Sequence, residues 1–155
     1  MFAMGPSRLR RLVAVLVWLA LAAPAALNAE EPSIEELKAR IANASLVDRP
    51  PLCLQISAQQ VGAAGRFFEI GDIEQAKAAL TDVVAFSELA RDYAIQTRKH
   101  EKRSEIAIRK MIHKLADLKH TVSHEDQEPV QNAINRLERV RDDLLIAMFP
   151  KVGKK

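Results

Sequence analysis

One cysteine, Cys53, stands in a chain of 155 residues, so no internal disulfide can staple the fold. A lone thiol reads as a small apolar core residue, the alternative being an intermolecular disulfide or a reactive thiol. Glycine is also scarce, with five in all, and neither glycine nor proline occurs between Gly71 and Pro129. Tight turns draw on those residues, so that long interval argues against a turn-rich β fold. Aromatic residues make up 5% of the chain, and they do not interleave with the basic residues as a base-stacking platform needs. Nucleic acid is therefore not an expected partner. Catalytic signatures are missing as well: C-x-x-C-H, H-E-x-x-H, a glycine-rich phosphate loop and G-x-S-x-G do not occur. No residue stands out as a catalyst or as a ligand for a cofactor, and the expectation is a protein that is not an enzyme.

What is abundant is Ala, Leu, Ile, Glu, Lys and Arg, a helix-favouring set. Arg8, Arg10 and Arg11 precede an apolar run over 12–23, which Pro24 breaks before small residues lead to Ala29. A positive head, short apolar body and small-residue exit describe a secretory signal peptide over 1–29, cut near Ala25 or Ala29. The run is shorter than the roughly 20 residues that span a bilayer. The expectation is export to the periplasm or the extracellular space, with no stable membrane span after cleavage.

Those three arginines account for the whole-chain excess of +3, because 20 basic and 20 acidic residues remain from Glu30 onward. The basic pI is thus no evidence for nucleic-acid binding. Charge is uneven along the mature chain: residues 30–95 carry 11 acids against 6 bases, and residues 96–155 carry 9 against 14. Such asymmetry can steer a partner or a second copy.

Ser33 and Glu36 form a capping box that opens a short helix over 34–44, with Ile34, Leu37 and Ile41 on one stripe. Asp48-Arg49-Pro50-Pro51 reads as a linker, since each proline removes a donor and disfavours helix in the residue before it. A second helix is expected over 52–69, stopped by Gly71 and followed at once by Asp72 as the next cap, with Gln75 in the capping-box position. From Ile73 onward a three-four apolar stripe runs without a slip: Ala76, Leu80, Val83, Ser87, Ala90, Ala94, Thr97, Glu101, Ser104, Ile108, Met111, Leu115, Leu118, Val122. Only Glu101 and Ser104 fail as apolar positions. The expectation is one continuous helix over about 73–122, the alternative being a break in the charged run 98–105 that folds the halves together. A last helix from Gln127, with Pro129 in its first turn, carries Val130, Ala133, Leu137, Val140, Leu144 and Ala147. The short link 123–126 makes it the antiparallel partner of 108–122.

Gln60, Ala63, Ala64, Phe67, Gly71, Ala76 and Leu80 fall at the spacings of half a tetratricopeptide repeat, which this stretch resembles. Phe67, Gly71 and Ala76 match that family, whereas Gln60 replaces its Trp, Ala64 its Gly and Glu88 its closing Pro. One repeat further on, Ala94, Arg98 and Glu101 break the pattern. The resemblance implies a helical hairpin over 60–88.

The fold expected is therefore an all-α helical bundle built on the long central helix, with an antiparallel C-terminal α-hairpin; a compact four-helix bundle is the alternative. Its organisation reads as signal peptide 1–29, short helix and linker 30–51, helical domain 52–149 and basic tail 150–155. The function expected is an exported, non-catalytic scaffold or adaptor that binds another envelope protein or itself. For self-association the candidate interface is Ile112, Ile134 and Met148, beside a narrow seam that one antiparallel pair cannot cover. The alternative is a divalent-metal site using His113, His120 and His124, since imidazoles four apart share a helical face. Arg98, Lys99, Lys102, Arg103, Arg109 and Lys110 read as a solvated face, or else as a contact for anionic lipid or polymer.

Overall fold

Ser33 accepts the Glu36 N–H at 3.2 Å and starts α1 (Ile34–Asn43), which buries Leu37 against the next helix. The computed structural model describes residues 30–151, so the signal-peptide segment and the last four residues lie outside it. Four longer helices follow: α2 (Arg49–Glu69), α3 (Ile73–Thr97), α4 (Glu101–Thr121) and α5 (Gln127–Met148). Among the described residues there is no strand, and the all-α bundle expected from composition and periodicity is the fold.

The expected proline linker is instead the start of α2. Pro50 and Pro51 sit in its first turn, where N–H groups have no intrahelical partner and a missing donor costs nothing. Arg49 fixes this corner: Nε donates to the Ala44 carbonyl at 3.2 Å and Nη1 to the Tyr93 hydroxyl at 3.1 Å. Its guanidinium also lies 5.2 Å from the centroid of the Tyr93 ring.

Gly71, at φ 76°, takes the left-handed position that closes α2. Gly71 N–H donates to Phe68 and Asp72 N–H to Phe67, which satisfies the last carbonyls. Asp72 then accepts the Gln75 N–H at 3.2 Å and caps α3. The two helices form an antiparallel hairpin with a buried serine contact: Ser57 Oγ donates to the Val83 carbonyl at 3.1 Å, and Ser87 Oγ donates to Ser57 Oγ at 3.2 Å. Small hydroxyls allow the backbones to approach while leaving no unmet donor. This is the hairpin that the half-repeat resemblance implies, but α3 runs on past Glu88 to Thr97.

The continuous helix over 73–122 does not form. Arg98 (φ 53°) and His100 (φ 66°) both adopt left-handed backbone, ending α3 and starting α4 within three residues. The same capping scheme as at Gly71 recurs, with Arg98 N–H to Ile95 and Lys99 N–H to Ala94. Each side chain held there costs roughly 1–2 kcal/mol relative to a right-handed residue. What offsets it is burial along both halves of the stripe, from Ala76 to Ala94 and from Ser104 to Leu115, once they fold against each other.

A short 3₁₀ turn, His124–Asp126, joins α4 to α5. Ser123 Oγ donates to Asp126 Oδ2 at 2.7 Å within it. The α2–α3 and α4–α5 hairpins then pack side by side, α3 against α5 and α2 against α4. Cross-contacts fix the directions. Glu88 meets Arg136 and Arg91 meets Asp143, so α3 and α5 run parallel. A Cβ on Gly65 would lie 3.8 Å from Leu118, so α2 and α4 run parallel too. Around the axis the order is α2, α3, α5, α4, with the Arg98–His100 turn crossing the diagonal.

Candidate interaction surfaces

Where α3 and α5 lie parallel, an open groove of about 430 Å³ separates their outer faces. Leu80, Val84, Ala85 and Ala133 give it an apolar floor, and Lys77 and Pro129 stand at one end. At the other end Arg136 Nε donates to Glu88 Oε1 at 3.1 Å, with Arg136 Nη2 on the same oxygen. Beyond that clamp, Arg91 bridges Asp92 and Asp143, each at 2.9 Å. These carboxylates push the Arg91 guanidinium pKa up against the opposing effect of its partial burial. The acidic first hairpin and basic second hairpin thus meet within a single chain.

A second concavity, about 540 Å³, lies at the end of the bundle where α3, α4 and α5 converge. Arg98, His100, Glu101, Lys102, Arg103, Ile106 and Met148 line it. Ile146 and Phe149, one helical turn apart beside Met148, are 54% and 56% exposed.

The expected self-association surface is not assembled. Ile134 is 6% exposed and belongs to the core, and Ile112 is half-buried against that core. A narrow seam leaves α5 a single neighbour, α4. In the fold α5 also packs on α3, so its buried face is wider. Met148 is half-buried and lines the basic concavity.

Nor do the histidines converge. His113 and His120 are exposed on α4, but α4 ends at Thr121, which puts His124 in the 3₁₀ turn rather than one turn further along the same face. Among the described residues no group of three or more His, Cys, Asp or Glu side chains could hold a metal ion. Cys53 is fully buried in the α2 core, and desolvation pushes its thiol up to about 11 despite Arg49 one turn away. That thiol is a packing group and a poor nucleophile at neutral pH.

The groove clamp was not read from the sequence, because Glu88 and Arg136 are 48 positions apart and neither breaks a local pattern. Ile146 and Phe149 were within reach: each is a large apolar residue off the Val130-to-Ala147 stripe.

Fold and surfaces define the class: an all-α bundle of two antiparallel hairpins, with open grooves at its surface. No family model, no curated protein and no solved structure matches the chain.

Proposed function

We propose that this protein is an exported, non-catalytic adaptor that binds a partner protein's amphipathic helix in the groove between α3 and α5. The observation that carries the reading is the apolar floor of Leu80, Val84, Ala85 and Ala133 between charged ends. From Lys77 to Glu88 the groove wall rises about 16 Å at 1.5 Å per residue, which matches three turns of a docked helix. Such a helix would present apolar residues at i, i+3, i+4 and i+7. Export rests on the charged head and apolar run that precede Ala29.

The test compares the full chain with an Ala85→Arg/Asn132→Arg variant, whose two positions are both exposed and so tolerate substitution. Proteins captured from envelope extract by the parent are purified and titrated against both forms. A partner whose affinity drops at least tenfold in the variant supports the groove. Equal affinity for parent and variant overturns it.

A further inference from the structure

Arg98, Lys99, Lys102 and Arg103 are all exposed within six consecutive positions, and among the described residues none has a carboxylate within 4 Å. Elsewhere Lys38, Arg40, Lys77, Arg91, Arg109, Arg136 and Arg141 each meet an acid, while Arg66, Lys110, Lys114 and Arg139 are exposed and unpaired among the described residues. What sets the tip apart is that four such cations fall within six positions. Lys151 follows α5 on the strand of chain that leaves this same end, and it is exposed too. Within the cluster the acid present is Glu101, which is half-buried at the start of α4.

The backbone holding these cations is unusual. Glycine is favoured at a left-handed helix terminus, yet Arg98 occupies that place and His100 a second one two residues later. Backbone strain of this kind is held by the packing on either side of it and clusters at functional sites. Here the three-residue turn displays the guanidinium of Arg98 and the ammonium of Lys99 at the tip of the bundle, where α4 begins.

Exposed apolar side chains stand at the same end of the bundle. Ile146 and Phe149 project from the last turn of α5, and Met148 between them shares a concavity with Arg98, Lys102 and Arg103. Leu46 and Val47, 41% and 38% exposed, lie on the turn before α2, at the end where Arg49 meets Tyr93. At the opposite end the charge is reversed: Glu69, Asp72, Glu74, Glu125, Asp126 and Glu128 surround the Gly71 and 3₁₀ turns.

We infer that this tip docks on a bilayer surface rich in anionic phospholipid, with the bundle standing on it. Unpaired cations supply the attraction to phosphate, and Ile146 and Phe149 supply apolar surface for the headgroup–acyl boundary. A soluble polyanion would use the cations and gain nothing from the two apolar side chains. The acidic far end is repelled by the same surface, which sets the orientation. This inference is independent of the helix-binding groove, which lies on the side of the bundle.

Vesicle co-sedimentation of the full chain tests it, with phosphatidylglycerol–phosphatidylcholine mixtures against phosphatidylcholine alone. Variants are compared with the parent, so that residues outside the tip contribute equally to both. Each cation near an anionic bilayer is worth about fivefold in affinity. Lys102→Glu/Arg103→Glu is therefore expected to weaken binding to the anionic vesicles at least ~20-fold. Arg66→Glu/Lys114→Glu, an equal charge change at exposed sites away from the tip, should leave binding within about threefold of the parent. Ile146→Ser/Phe149→Ser should weaken binding roughly tenfold, in high salt as in low. Helical circular dichroism matching the parent's verifies that each variant is folded; a tip variant that fails this is replaced by Lys102→Gln/Arg103→Gln. Loss of binding in both double-charge variants alike would overturn the proposal, as would equal binding to neutral vesicles. Unchanged binding in Ile146→Ser/Phe149→Ser together with full competition by soluble polyphosphate would also overturn it, and would assign the tip to a polymer.

Discussion

Nε of Arg141 donates to Oε1 of Glu105 across 2.8 Å, and the carboxylate it meets keeps only 9% of its side chain exposed. Arg109, one turn further along α4, approaches the same oxygen at 3.7 Å. The pair joins the start of α4 to the end of α5, so the second hairpin is closed by an ion pair at the very end where α4 is least apolar. Arg141→Ala leaves a nearly buried charge with one distant partner. It is expected to cost about 2–3 kcal/mol, whereas Glu105→Met/Arg141→Met should be close to neutral. Urea titration of the three proteins checks both values.

Ile134 offers a second test. As a core residue on the face of α5 that packs between neighbours, it cannot accept a charge. Ile134→Glu is expected to destabilise the protein by roughly 3–5 kcal/mol, with both hairpins losing helicity together. Thermal melting followed at 222 nm reads this. A variant that melts like the parent would return Ile134 to the surface.

Burial of Cys53 has a consequence in alkali. Its thiol ionises near 11 in the fold against 9.0 for the ordinary group. Because the folded state holds its proton to higher pH, the unfolded chain releases its proton first. Stability from this group is therefore intact below pH 9 and falls between pH 9 and 11, by on the order of 2 kcal/mol. Cys53→Ala should flatten that stretch of the stability–pH profile while lowering stability at neutral pH, since it leaves a cavity. Thiol titration of the native protein at pH 8 should proceed at the rate of global unfolding.

The apolar stripes were legible because burial has the same period as the helix. Val83, Ala90, Ala94, Ile108, Leu115, Val130, Leu137, Val140 and Leu144 are all fully buried, and each lies on a stripe counted from the sequence. Capping was legible too, at Ser33 and Asp72, since side-chain acceptors three residues before an N–H act locally. What local pattern could not supply was the break at Arg98. The stripe stays in phase through it, and the usual glycine or proline is missing. The break is favoured by contacts between hairpins that lie far apart in sequence. Pro50 and Pro51 misled for a related reason, because a proline pair reads as a linker unless the helix is known to begin just before it. The buried Glu105 and the groove clamp of Glu88 and Arg136 depend on which helices become neighbours, and no periodicity contains that.

The in-phase stripe gives the three-residue turn a second possible life. Straightened into helix, Arg98–His100 would carry one hairpin away from its own partner without disturbing the pattern of either face. Two such opened chains could exchange hairpins, each α4–α5 pair seating on the other chain's α2–α3 pair and recovering every buried contact. Strained short links favour such exchange. Replacing Arg98, Lys99 and His100 together by alanine, the strongest helix former, should therefore yield a twofold exchanged dimer in sedimentation equilibrium. Arg98→Gly should hold the chain as a closed monomer and add up to about 1 kcal/mol of stability, because it removes the left-handed penalty. Whether the protein lives as one bundle or as two interlocked ones thus turns on the backbone preference of the three residues that link the hairpins.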